Sequence, residues 1–189
     1  MADSGVIDLL LNSREWTTFE CKRAAVEPAK LLETVVAFAN TDGGHIVLGM
    51  EDPKKAPREE RLVGISERPD NVSEFLKLIS KEIEPSIQIS QKVEIEINNK
   101  RGEPDKLLVV SIDKSNDIHS LKKGDTLVRR GNQNIKIGST EIMRLKYEKG
   151  TVKFESEPSD IQVTEDLDLD LLGKYKKDTN SEGDDNWQF

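Results

Sequence analysis

Apolar residues recur at helical intervals from Val6 to Leu10, and the spacing predicts a short amphipathic helix over residues 4–12. From Thr17 to Arg23 the period changes to two. Phe19 and Cys21 fall on one side and Thr18, Glu20 and Lys22 on the other, as in a strand with one apolar and one polar face. Pro28 suits a first helical turn. Behind it two adjacent stripes, Leu31-Val35-Phe38 and Leu32-Val36-Ala39, predict a helix buried over most of its surface. Asn40-Thr41-Asp42-Gly43-Gly44 ends it, with either glycine able to take the left-handed conformation that other residues reach only at a cost. His45–Met50 is then almost continuously apolar, the pattern of a central strand covered on both faces, and it runs into Glu51-Asp52-Pro53.

Residues 53–60 read as a charged loop and Arg61–Ile65 as a short strand. Asp70 or Asn71 is placed to cap a helix carrying Val72, Phe75, Leu76 and Ile79. Val93, Ile95 and Ile97 alternate with Glu94 and Glu96, predicting an exposed or edge strand, and Leu107–Ile112 predicts a second buried one. Leu127–Arg130 reads as a further strand, Gly131–Gly138 as a loop, and Ser139 as the cap of a last helix ending near Lys149. Strands and helices in this mixed order imply a mixed α/β or α+β architecture, with no internal repeat.

Composition changes the picture mainly at the C-terminal end. Of a net charge of −8, all is accounted for by residues 155–189, which hold eleven acids and three lysines; residues 1–154 balance at 25 of each sign. The expected organisation is one domain over 1–154 followed by an acidic tail, disordered in composition, over 155–189. A balanced domain can still gather positive charge on one face, so an acidic total does not exclude nucleic acid. One cysteine, Cys21, excludes an internal disulfide, and with only His45 and His119 beside it a structural zinc site is not expected. No basic-then-apolar leader and no membrane-length apolar run is present, which predicts a soluble, cytoplasmic protein, the nucleus remaining open for a eukaryotic source.

The chemistry centres on acids. Glu51 and Asp52 end a predicted central strand, where α/β proteins commonly place functional groups. If the Thr17–Arg23 strand is its neighbour, Glu15, Glu20 and Asp52 converge. Three carboxylates in one place repel unless a cation lies between them, and hard ions such as Mg²⁺ or Mn²⁺ suit oxygen donors. Asp52 has a second reading, as the residue that starts a turn at Pro53, and Glu15 and Glu20 as ordinary surface acids beside Arg14, Lys22 and Arg23. Lys22 is placed to touch a phosphate or to neutralise the acids. Arg129 and Arg130, before a glycine-led loop, are placed to grip a nucleic-acid backbone. The pair Gly43-Gly44 lacks the spacing of a phosphate-binding loop and reads as backbone punctuation, His45 as a strand residue, and Cys21 as core.

The segments FECKR, AFANTDGGHIVLGMED, LVGI and TLVRRGNQNI, in this order over most of residues 13–150, resemble the Schlafen/AlbA-type domain family. The resemblance implies a mixed α/β domain built for contact with RNA or DNA. Microbial relatives are described as DNA-binding modules of transcriptional regulators, and the animal Schlafens include endoribonucleases that cleave tRNA and rRNA. In those nucleases the site is E-x₄-E followed by an acid closing a Gly-apolar-acid-Asp segment. Here Glu15, Glu20 and Asp52 stand in those positions. The resemblance thus implies a divalent-metal-dependent endoribonuclease on structured RNA such as tRNA. The alternatives are a non-catalytic regulatory module held to nucleic acid by Lys22, Arg129 and Arg130, or an adaptor. The animal proteins carry two lobes in one chain and a zinc site. A single lobe without those cysteines would pair with a second copy or a second lobe to form a groove. Finally, EGDDNWQF at 182–189 is similar to the acidic, Phe-terminated tips of bacterial single-strand-binding proteins, so residues 181–189 are expected to dock a protein partner, to cover the domain's own basic groove, or only to aid solubility.

Overall fold

The computed structural model describes residues 4–151 and Lys174. Helix α1 (Ser4–Asn12) leads to β1 (Phe19–Lys22), α2 (Pro28–Asn40) and β2 (Gly44–Leu48). After an irregular stretch follow α3 (Pro69–Glu82), β3 (Ile83–Glu84), β4 (Gln91–Asn98), β5 (Pro104–Ile112), β6 (Ser120–Leu121), β7 (Leu127–Arg130), β8 (Gln133–Lys136) and α4 (Ser139–Glu148). The fold is α+β. The main sheet runs β1-β2-β5-β4, with β1 parallel to β2 and the other pairs antiparallel. The strand that the unbroken apolar run predicted therefore lies inside the sheet, and the alternating strand β4 lies at its edge.

Side-chain alternation divides the core into two layers. Ile46, Leu48, Leu108 and Val110 face one way and pack with α2 and α3, where Phe38 and Phe75 are fully buried. Removing such a ring costs about 3–5 kcal/mol. Cys21, Val47 and Leu107 face the other way, under Ile7, Leu10 and Leu11 of α1. Gly43, at φ +75°, caps α2 by donating its N–H to Phe38 O at 2.9 Å. A side chain at Gly44 would stand 2.7 Å from Thr18 O and 2.8 Å from the Phe38 ring, so this glycine is required by close approach instead.

Several boundaries differ from expectation. Arg61–Ile65 forms only one bridge, Met50 to Leu62, because Gly64 turns away at φ +89° and short 3₁₀ turns flank the segment at 58–60 and 65–67. Helix α3 starts at Pro69 without a side-chain cap, and Asn71 donates to Val26 O at 3.0 Å instead of capping. Gly138, not Ser139, stands at the cap position of α4. The expected loop 131–138 contains β8, joined to β7 by the two-residue turn Gly131-Asn132. The expected boundary near residue 154 and the expectations for the acidic tail, including 181–189, lie outside the described residues. Among the described residues no helix is long and apolar enough to cross a membrane.

Candidate nucleic-acid interface

The predicted acids fall at the β1 edge of the sheet. The register pairs Glu20 with Ile46 and Lys22 with Leu48, which puts both side chains on the α2 face. Glu20 is only 5% exposed there. A buried carboxylate needs charge partners, and it has two: the ammonium of Lys22 and the guanidinium of Arg129. Lys22 also donates to Glu15 Oε1 at 2.9 Å. Burial opposes the charge on Lys22, but its hydrogen bonds to Glu20 and Glu15 prevail and raise its pKa above the ordinary value. Lys22 thus sits as a fixed cation between the first two acids.

Arg129, expected to grip phosphate, is instead an internal strut. Its side chain is 1% exposed. Nη1 donates to Asn134 Oδ1 at 2.8 Å, and Nε and Nη2 donate to Trp16 O at 3.2 and 3.0 Å. Its guanidinium carbon lies 5.2 Å from the centre of the Phe38 ring. A side chain spent on those contacts cannot reach a ligand. Asn40 sets the strut in place: it receives His119 N–H at 2.8 Å and donates to His119 O and Leu127 O at 2.8 and 2.9 Å, tying the end of α2 to β7. Arg130, next in the strand, points outward, 60% exposed and paired with Glu141 of α4.

The two acids that follow β2 have separate tasks. Glu51 lies 3.5 Å from Arg23, which also grips Glu67. Asp52 Oδ1 receives the N–H of Lys54 at 2.8 Å, so Asp52 does start the turn at Pro53. Beneath them Arg61, 2% exposed, donates to Glu51 O at 2.9 Å and Leu11 O at 2.5 Å. Cys21 is wholly buried, and that burial, reinforced by the charge of Glu15, pushes its thiol up to about 12.

Glu15 and Asp52 do meet across one feature, a cleft of about 800 Å³ lined by Arg14, Glu15, Trp16, Asp52, Pro53, Lys54 and Asn132. Glu20 is not part of its lining. Among the described residues no three His, Cys, Asp or Glu side chains gather closely enough to hold a metal ion. The donor chemistry agrees: Glu15 and Glu20 share the ammonium of Lys22, and Glu20 also meets Arg129, so the charge that a divalent ion would supply is already present. In this arrangement the residues do not fit one.

Trp16, Arg14, Lys54 and Asn132 were not singled out from the sequence. Trp16 is 64% exposed, which is unusual for the largest side chain. Its only sequence signal was its place inside E-x₄-E. Among the described residues neither Arg14 nor Lys54 has an acidic partner.

A family model described as Schlafen, AlbA_2 matches residues 15–138, beginning at the first of these acids and ending where β8 gives way to α4. The chain belongs to the Schlafen AlbA_2 family. Among solved structures this Schlafen-type domain is similar to the DIP2311 protein from Corynebacterium diphtheriae, with 13% identity and a TM-score of 0.55. That match covers 94% of this chain and 34% of the other, so this chain spans about a third of that one's length. At such identity the likeness concerns the fold alone. No curated protein matches. Family membership points to a nucleic-acid-related function for the domain.

Proposed function

We propose that this Schlafen-type domain binds RNA or DNA through the cleft between residues 14–16 and 52–54. The observation that carries the reading is the charge balance at its walls. Lys22 and Arg129 together face Glu15 and Glu20, and Arg14 and Lys54 line the cleft with no acidic partner among the described residues, so these four cations outnumber the three carboxylates of Glu15, Glu20 and Asp52 by one. What the cleft presents to a polyanion is therefore attractive. Arg130, exposed on the neighbouring β7–β8 hairpin, adds a third cation that can exchange Glu141 for a phosphate.

The test is affinity for labelled RNA and DNA as a function of salt, in EDTA. Affinity should fall steeply as salt rises, because cations that replace condensed counterions lose their advantage. Arg14→Ala with Lys54→Ala should weaken binding for every sequence and flatten the slope of log affinity against log salt by roughly two. Unchanged affinity and slope in the double variant would exclude this cleft.

A second reading is a Mg²⁺- or Mn²⁺-dependent endoribonuclease acting on structured RNA such as tRNA. The observation in its favour is that Glu15 and Asp52 line the same cleft. It requires Lys22 to leave both glutamates, because its ammonium holds the position between them. Cleavage of tRNA that needs a divalent ion and vanishes in Asp52→Asn would establish it. Binding without cleavage at any metal concentration would leave the acids as structural partners of Lys22 and Arg129. In either reading, a second copy or a second lobe would extend the contact surface.

A further inference from the structure

We infer that Trp16 is a stacking platform for an unpaired base, so that the cleft selects single-stranded or looped-out nucleotides over continuous duplex. The inference rests on the binding reading above and narrows its ligand.

The ring is exposed, yet the backbone that carries it is held on both sides. Trp16 N–H donates to Phe19 O at 3.0 Å, closing a tight turn into β1. Its carbonyl accepts two bonds from Arg129, whose guanidinium is itself locked by Glu20, Asn134 and the face of Phe38. A chain of buried contacts from the core thus ends on a residue whose own side chain faces solvent. An indole held on a fixed backbone loses little freedom when a flat partner covers it, which suits it to stacking. On the hairpin side the ring lies against Gly131: a side chain there would come within 4.0 Å of Trp16 Cζ3. One part of the ring is therefore backed by the glycine turn, and the rest lines the cleft.

The surroundings identify the class of molecule that covers it. An apolar partner would not call for Arg14 and Lys54 in the same walls, and a simple anion would not call for an indole. A nucleotide calls for both: a flat π-surface for the base and cations for the phosphates on either side of it. Asn132, at the turn beside Trp16, brings an amide able to donate and accept at a base edge. The cleft volume of about 800 Å³ lies within the range of small-molecule sites and admits a base with its sugar. A base inside a duplex is already stacked on both faces and cannot lie on a side chain, which is why the geometry selects unpaired positions.

The experiment uses the full chain with Trp187→Phe, leaving Trp16 as the sole tryptophan reporter. Titration with oligoadenylate should quench its emission, and a blunt-ended RNA duplex of two fully complementary strands should not. Trp16→Ala should weaken oligoadenylate binding, read by anisotropy of a labelled strand, by roughly 5- to 150-fold. Trp16→Phe should retain part of the affinity, and duplex binding should stay constant in both variants. Urea midpoints equal to the parent would show that the variants remain folded. If Trp16→Ala binds oligoadenylate as tightly as the parent, or loses duplex affinity in parallel, the stacking role is wrong while nucleic-acid binding stands. If the parent binds neither strand nor duplex, the functional reading fails with it.

Discussion

Arg129 illustrates how one residue can be identified correctly as important and wrongly in role. Its position before a glycine-led turn suggested an outward grip, and Arg130 does point outward. Strand alternation sends Arg129 inward, where Glu20 waits with a charge that cannot be left alone. Arg129→Ala should therefore destabilise the fold by about 3–5 kcal/mol, the cost of an uncompensated buried charge, although Lys22 offsets part of it. Arg130→Ala should stay within about 0.5 kcal/mol of the parent. Urea denaturation followed by far-UV circular dichroism measures both. The reading of Cys21 as core holds, and it has a chemical consequence. With its pKa pushed up to about 12 and no exposed surface, the thiol should be inert to a disulfide reagent at neutral pH and react fully only in denaturant. Rapid labelling of the native chain would contradict the burial described here.

At the scale of elements, hydrophobic period was a dependable guide wherever packing alone decides. The doubly striped α2, the unbroken β2 and the alternating β4 all took the layers their patterns implied. The pattern failed where polar contacts decide. Residues 131–138 offer only Ile135 and Ile137, alternating with Asn134 and Lys136, too short an apolar pattern to mark β8, which is held by pairing with β7. Residues 61–65 have strand-like content, but Gly64 and the inward pull on Arg61 leave a single bridge. Of the residues singled out by motif spacing, Glu15 and Asp52 line the cleft and Glu20 and Lys22 do not; the partnership of Glu20 with Arg129, 109 residues apart, was not legible, because no local rule relates them. A testable link between elements is Arg23, after β1, with Glu67, in the 3₁₀ turn before α3. The hydrogen bond from Arg23 lowers the Glu67 pKa below its ordinary 4.5, against the opposing effect of burial. A carboxylate depressed in the folded state contributes stability that is complete above its unfolded value and lost as pH falls through the folded one. Glu67→Gln should therefore lose stability at neutral pH and show a shallower decline on acidification below about 4.5 than the parent, both read from urea midpoints.

For the whole molecule, charge is divided along the sequence. Residues 155–189 carry the net −8 and the rest of the chain is balanced. If the domain binds nucleic acid as proposed, an acidic segment in the same chain adds negative charge near the binding surface and slows encounter with a polyanion at low ionic strength. Deleting 155–189 should raise the association rate constant for RNA several-fold in dilute buffer, and the gain should shrink at about 0.15 M salt, where the screening length is about 8 Å. Stopped-flow association at two salt concentrations checks this.

Strand β4 ends the main sheet, and among the described residues no strand pairs with its outer side. An eight-residue edge left open among the described residues is of the kind that can recruit a like strand from another molecule. Here Lys92, Glu94 and Glu96 alternate with Val93, Ile95 and Ile97, so any edge-to-edge partner must bring its own charges into register with them. Charges at those three positions are the kind that disfavour edge-to-edge growth, so replacing them with valine should lower the soluble yield. Their cost to the organism of removal would appear first as poor yield of soluble protein, long before any contact with nucleic acid is altered.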